Sequence, residues 1–255
     1  MATVITFGQQ KGGVGKTTTC AMAAYTLSQT HKVLAIDMDS QGSLTQLLSQ
    51  RSVYEFTGKT ILQGIRNMDA CKYVVPLTKN LSIIPAEDEL ATLSRIIYDE
   101  QISPTPGLVL DRAIRGIKKD YDYILIDQPP ALDELSINAM AASDFVVAVL
   151  LSEQLCLTAL DRYLKALQEV QKRYNPDLRL AGILVALSDS RILSDQAVVS
   201  QARNDYGTVV FNAEIKRKSR IKEYPIIGIQ SSTKADRDAQ EPYIAFVKEL
   251  LNRVQ

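Results

Sequence analysis

Residues 9–18, Gln9-Gln10-Lys11-Gly12-Gly13-Val14-Gly15-Lys16-Thr17-Thr18, gather glycines, lysines and hydroxyl side chains into one short stretch. That combination suits a polyphosphate. Glycines let successive backbone N–H groups converge on one concavity, and a helix that begins there adds the positive end of its dipole. Lys16 is then placed to reach β- and γ-phosphates, and the Thr17 hydroxyl to ligate Mg²⁺. The usual template, G-x-x-x-x-G-K-[ST], is not fully met, because Gln10 stands where its first glycine belongs. Lys11-Gly12-Gly13 supplies an extra lysine and glycine instead. Acidic side chains recur where such a site needs them, in Asp37-Met38-Asp39-Ser40-Gln41-Gly42 and in Asp127-Gln128-Pro129-Pro130, each after an apolar run.

Those runs define the elements that must position the chemistry. Thr3–Phe7, His31–Ile36 and Tyr123–Ile126 read as strands, the first followed by a helix over Thr17–Ser28. Near-continuous Val, Ile and Leu is the pattern of parallel strands buried on both faces. Ligands of an open parallel sheet bind beyond the carboxyl ends of its strands, which puts the glycine loop and both acidic clusters on one side. Strand and helix keep alternating. Helices are expected over Ser43–Ser49, Lys59–Ile65, Glu87–Tyr98, Gly107–Lys118, Leu135–Ala142, Leu155–Tyr174, Asp195–Tyr206 and Asp236–Val254. Strands are expected over Tyr73–Pro76, Leu81–Pro85, Phe145–Leu151, Leu180–Leu187 and Thr208–Phe211. The predicted fold is α/β: one doubly wound, mostly parallel sheet of about seven or eight strands with helices on both faces, in a single domain spanning residues 1–255.

Composition narrows the function classes. The chain holds 29 basic and 29 acidic residues, so a polyanion partner must be met by a local patch rather than by a global field. Cys20, Cys71 and Cys156 are scattered, which disfavours zinc, iron–sulfur and disulfide frameworks and fits a reducing cytoplasm. No leader peptide or membrane-spanning run is expected. The local patch exists: residues 214–223, Glu214-Ile215-Lys216-Arg217-Lys218-Ser219-Arg220-Ile221-Lys222-Glu223, carry five basic side chains. A nucleic-acid surface and a solvated helix face both fit such a run.

The segment Lys11–Thr18 matches K-G-G-x-G-K-[ST]-T, the deviant Walker A motif, and through it the chain resembles the ParA/MinD superfamily of P-loop ATPases. The resemblance implies ATP and Mg²⁺ as cofactors, held by Gly12, Gly13, Val14, Gly15, Lys16, Thr17 and Thr18. Asp127 then corresponds to the Walker B carboxylate and Asp39 to the switch I aspartate that orients the attacking water. Thr17, Asp39 and Asp127 form the metal set, Lys11, Lys16, Asp39 and Asp127 the catalytic set, and Asp37 supports the loop or the metal's outer shell. Lys11 matches the signature lysine that reaches across an ATP-driven, nucleotide-sandwich homodimer.

Residues 214–223 resemble the I-P-R-x-x-R-L-x-E-like segment of ParA/Soj-type partition ATPases, and Asp189-Ser190-Arg191-Ile192-Leu193 resembles their S-R-T-N-L-like loop. By that likeness Lys216 and Arg217 contact the nucleotide, while Arg191, Lys218, Arg220 and Lys222 contact DNA. The implied function is ATP-dependent DNA partition: the dimer binds DNA nonspecifically, a centromere-binding partner of the ParB type stimulates slow hydrolysis, and the DNA is released. Because the first strand starts at Thr3, no N-terminal helix-turn-helix is expected. Two alternatives remain. One is a MinD-like spatial regulator that docks its C-terminal helix on membranes, although Lys248 and Arg253 are too few to favour it. The other is a positioning ATPase for a protein cargo. Three positions depart from the family pattern: Ser40 and Lys216 replace prolines, and Gln128 replaces a smaller residue. Gln128 is placed either to offer its amide to the attacking water or to bond switch I.

Overall fold

Eight strands lie in one sheet in the order β3-β4-β2-β5-β1-β6-β7-β8. They are β1 (Thr3–Gly8), β2 (Val33–Asp37), β3 (Val75–Pro76), β4 (Leu81–Ile84), β5 (Tyr123–Asp127), β6 (Phe145–Leu151), β7 (Arg179–Ser188) and β8 (Val210–Lys216). The structure, a computed structural model, describes residues 1–99, 102–153, 155–189 and 191–255. All pairings are parallel except β3 with β4.

The helices are α1 (Lys16–Leu27), α2 (Ser43–Ser49), α3 (Ile61–Arg66), α4 (Leu93–Asp99), α5 (Val109–Ile114), α6 (Glu134–Ala141), α7 (Leu155–Arg173), α8 (Leu193–Tyr206), α9 (Tyr224–Ile227) and α10 (Lys234–Arg253). Period-two alternation sorts the central strands between two cores. Ile5, Phe7, Val33, Ala35 and Leu125 join the core built with α1, α7 and α10. Val4, Leu34, Ile36, Ile124 and Ile126 join the core built with α3, α4, α5 and α6. Both faces are covered, as the near-continuous apolar runs require.

Several elements differ from expectation. Residues 88–92 form a 3₁₀ turn before α4, and α5 ends at Ile114 rather than Lys118. β8 begins later than predicted and runs on to Lys216, so the first part of the basic stretch is a strand end rather than a helix face. After it come a 3₁₀ turn over Arg220–Glu223 and the short α9.

The outer strand β8 is closed by α10. Glu249 accepts from the Asn212 and Ala213 backbone N–H groups at 3.0 and 3.1 Å. Arg253 donates to the carbonyls of Val209 and Val210 at 3.0 and 3.2 Å, with its guanidinium 4.0 Å above the Phe211 ring. At the opposite edge β3 has two residues, the second a proline.

Candidate nucleotide site

The sheet delivers the site by register. β1 leads through Gly8 into residues 9–15, and Gly13 and Gly15 take the left-handed φ values of 73° and 89° that turn the chain into α1. Gly15 caps α1 without any side-chain hydrogen bond, and the first turn holds no acid. The helix therefore keeps its N–H groups and dipole available to an anion. A cavity of about 540 Å³ opens over this loop, lined by Gly12 to Thr18, Asp39, Gln41, Gln46, Pro130 and Leu187. Lys216, Arg217, Lys218 and Lys222 complete its wall from the end of β8 and the turn that follows.

Lys16 is only 6% exposed, and its Nζ donates to the Lys11 carbonyl at 3.1 Å. Burial lowers its pKa, against the opposing pull of Asp127 and Asp39. Phosphate oxygens would return to this lysine the counter-charge that burial denies it.

Parallel pairing of β2 with β5 sets Asp37 directly against Asp127. Asp37 accepts from the Thr45 N–H and hydroxyl, both at 2.8 Å, and from the Asp39 N–H at 3.1 Å. It thus supports the loop, the first of its two expected roles. Burial pushes its pKa up to about 6 in spite of those donors. Asp127 lies buried beneath the cavity, and burial, then the Asp37 charge, raise its pKa. The Thr17 hydroxyl is close enough to oppose that rise, yet neither Asp127 oxygen has a hydrogen-bond partner of ordinary geometry. A buried carboxylate with two orphaned oxygens beside a threonine fits a divalent cation held partly through water. Among the described residues no cluster of three His, Cys, Asp or Glu side chains could hold a metal alone. The residues therefore fit Mg²⁺ that shares its ligands with phosphate and water, rather than a resident metal in a protein cage.

Lys11 does not line this cavity. Its Nζ lies 2.9 Å from Glu153 Oε2 and 3.4 Å from Cys156 Sγ, and Glu153 chiefly raises its pKa. The two lysines of the loop are thus separated, Lys16 facing the phosphate space and Lys11 turned away from it.

The residues assigned to DNA fall into different places. Lys218 and Lys222 are exposed but share the cavity wall with Lys216 and Arg217. Arg191 is 87% exposed on its side chain and forks onto Asp189, with Nε 2.9 Å from Oδ1 and Nη2 2.7 Å from Oδ2. Ser190, between them, lies outside the described residues. Arg220 is committed within the fold: its Nε sits 2.6 Å from Asp236 and its Nη1 pairs with Glu223. Asp236 is fully buried and closes the capping box of α10 with Thr233. The guanidinium of Arg220, which the resemblance assigns to DNA, ties the basic turn to the start of α10.

Arg220, and then Thr233, hold the Asp236 carboxyl below the usual carboxylate range. A depressed carboxylate contributes stability that is complete above its unfolded pKa, about 3.9, and drains away as pH falls toward the folded value. Asp236→Asn should therefore lower the thermal midpoint at neutral pH, with the gap to wild type closing below about pH 4. A constant gap across a midpoint–pH series would remove Asp236 from that role.

Gln128 takes neither expected place. It is 1% exposed, its Oε1 accepts from the Tyr163 hydroxyl at 2.9 Å, and its Nε2 donates to the Ser136 carbonyl at 3.1 Å. Both ends of its amide are occupied inside the fold, by Ser136 of α6 and Tyr163 of α7. Leu187 was not foreseen either. It adopts a left-handed φ of 57°, rare for a bulky residue, and packs beside Gly15 on the cavity wall. No pattern in the sequence signals that conformation.

Comparison with known proteins agrees with this geometry. A family model described as an AAA domain matches residues 2–180. The chromosome-partitioning ATPase Soj of Thermus thermophilus is 35% identical over 98% of the chain and 96% of its own length. Cobyrinic acid a,c-diamide synthase from Mycobacterium smegmatis, solved with an ATP analogue and magnesium, superposes with a TM-score of 0.85 at 27% identity, covering 99% of this chain and 95% of that one. An ATP complex of McdA from Cyanothece gives 0.87 at 25% identity, covering 98% and 96%.

Proposed function

The chain belongs to the ParA/Soj-type partition ATPases, and on that premise we propose that it binds ATP with Mg²⁺, dimerises, and in that state coats DNA without sequence preference. Hydrolysis, stimulated by a centromere-binding partner of the ParB type, releases it. The observation that carries this reading is that the basic turn after β8 is itself a wall of the nucleotide cavity. Nucleotide occupancy therefore bears directly on how Lys216, Arg217, Lys218 and Lys222 are presented.

Within the site, Lys16 and the loop amides balance phosphate charge, and Lys11 of the other protomer adds its own. Mg²⁺, where bound, would supply positive charge that offsets the charge developing on the phosphate oxygens. Thr17 and Asp127 would hold it, and Asp39, half-buried on the cavity wall, would orient the attacking water. DNA is met by Arg191 and the exposed lysines of the basic turn. In such contacts phosphates supply the affinity and no base edge is read.

Fluorescence anisotropy with an unrelated 60-mer duplex, with ATP, ADP or no nucleotide at two salt concentrations, tests the reading. Binding by the ATP form alone, weakening steeply with salt, is expected. Arg191→Ala should reduce the magnitude of the log–log salt slope by about 1 per protomer, or about 2 per dimer. An unchanged slope would take Arg191 out of the DNA surface. Failure of every nucleotide state to bind would shift the reading to a protein cargo. The membrane alternative has less support, because Tyr243, Phe246, Val247 and Leu250 of α10 are buried, Phe246 edge-to-face with Phe7 and Phe211.

A further inference from the structure

We propose that Gln128 is a positioning residue of the hydrolytic site: clamped by the Tyr163 hydroxyl and the Ser136 carbonyl, it fixes the turn over residues 127–133 against the phosphate loop. The inference rests on the ATPase reading above and extends it to residues that touch neither nucleotide nor metal.

The chain leaves the sheet at Asp127, and its last backbone bond to β1 is Gln128 N–H to the Phe7 carbonyl at 3.2 Å. Pro129 and Pro130 follow, and proline has no N–H with which to tether the backbone. Side chains must hold the turn instead. Gln128 reaches Ser136 in α6, and the Ser136 hydroxyl bonds the Ala131 carbonyl and accepts from the Asp133 N–H at 3.3 Å. Tyr163, 0% exposed on α7, fixes the other end. The Ser136 carbonyl can only accept, so the Gln128 amide has one orientation, with its Nε2 toward Ser136 and its Oε1 toward the Tyr163 hydroxyl.

Two parts of the site depend on this turn. Neither Asp127 oxygen has a hydrogen-bond partner of ordinary geometry, so beyond the nearby Thr17 hydroxyl its carboxylate is aimed by its backbone. Pro130 lines the cavity, and its ring lies 3.8 Å from the point where a Cβ on Gly12 would stand. A shift at Gln128 would move both the metal-facing carboxylate and the wall of the phosphate loop. Displacements on the order of 1 Å can cost about a hundredfold in rate.

Three variants test the inference: Tyr163→Phe, Gln128→Leu and the two combined. Each single change strands a buried polar partner and should lower the thermal midpoint, whereas the double change leaves only the Ser136 carbonyl without its Gln128 donor and restores part of the loss. Positioning predicts that kcat falls about tenfold in all three, with KM for ATP within about twofold, and stays low in the double variant although its stability recovers in part. Amide exchange in the nucleotide-free protein should quicken over residues 11–14 and 127–133 ahead of the sheet. If kcat in the double variant returns with stability, or exchange rises uniformly, Gln128 is only a packing residue and the inference falls. A wild-type protein without turnover would instead defeat the ATPase reading, and this inference with it.

Discussion

With Lys11 replaced by alanine, the protein should still bind ATP but turn it over about a thousandfold more slowly, the range seen when a cation delivered in trans is removed. The basis is the separation of the two loop lysines. Lys16 points into the cavity, whereas Lys11 lies against Glu153 and contributes only its carbonyl to the site of its own chain. The expected loss corresponds to about 4 kcal/mol of transition-state stabilisation. Monomer affinity for ATP, read with a fluorescent analogue, should change little. Complementation separates delivery in trans from a local effect. Lys11→Ala chains keep Asp39, and Asp39→Ala chains keep Lys11, so each mixed dimer contains one complete site. Random pairing of equal amounts should then recover about a quarter of wild-type turnover. If mixing recovers nothing, while each variant still dimerises, Lys11 does not act across the dimer.

Gly8→Ala should be the most damaging small substitution in the fold. A Cβ at this last residue of β1 would overlap the Tyr163 hydroxyl and Gln128 Oε1, and would stand 2.6 Å from Tyr163 Cζ. Tyr163 and Gln128 are 0% and 1% exposed, so neither can swing into solvent. Overpacking and the broken Tyr163–Gln128 bond together should cost about 3 kcal/mol or more. In a chain of this size that is a fall of about 10 °C in thermal midpoint. Adding Tyr163→Phe removes one overlap and leaves the ring contact, so recovery should be partial. A Gly8→Ala protein with a wild-type midpoint would contradict the packing described here.

The phosphate loop was legible because its chemistry is local: glycines and lysines at fixed spacing announce it before any tertiary contact is known. Buried strands such as β6, and the compact helix α2, were legible for the same reason. What was not legible depends on partners far along the chain. Arg220 reads as one cation in a charged run until Asp236, sixteen residues later, is found buried against it. The end of β8 lacks a Val or Ile run, because Asn212, Glu214 and Lys216 alternate outward, and Glu249 and Arg253 complete its hydrogen bonding from α10. Gln128 reads as a partner of the attacking water or of switch I until Tyr163 and Ser136 are seen to occupy both ends of its amide. The left-handed φ of Leu187, inside β7 and beside Gly15, is not encoded by periodicity.

The covering of the two outer strands governs how molecules can accumulate. An open strand rim is a template on which further chains add by backbone pairing, and that growth has no natural stop. Here α10 fills one rim with the carboxylate of Glu249 and the guanidinium of Arg253, and the other ends in a two-residue strand with a proline. Copies of this chain brought to high local concentration would therefore meet no open strand rim on which a fibre could be seeded.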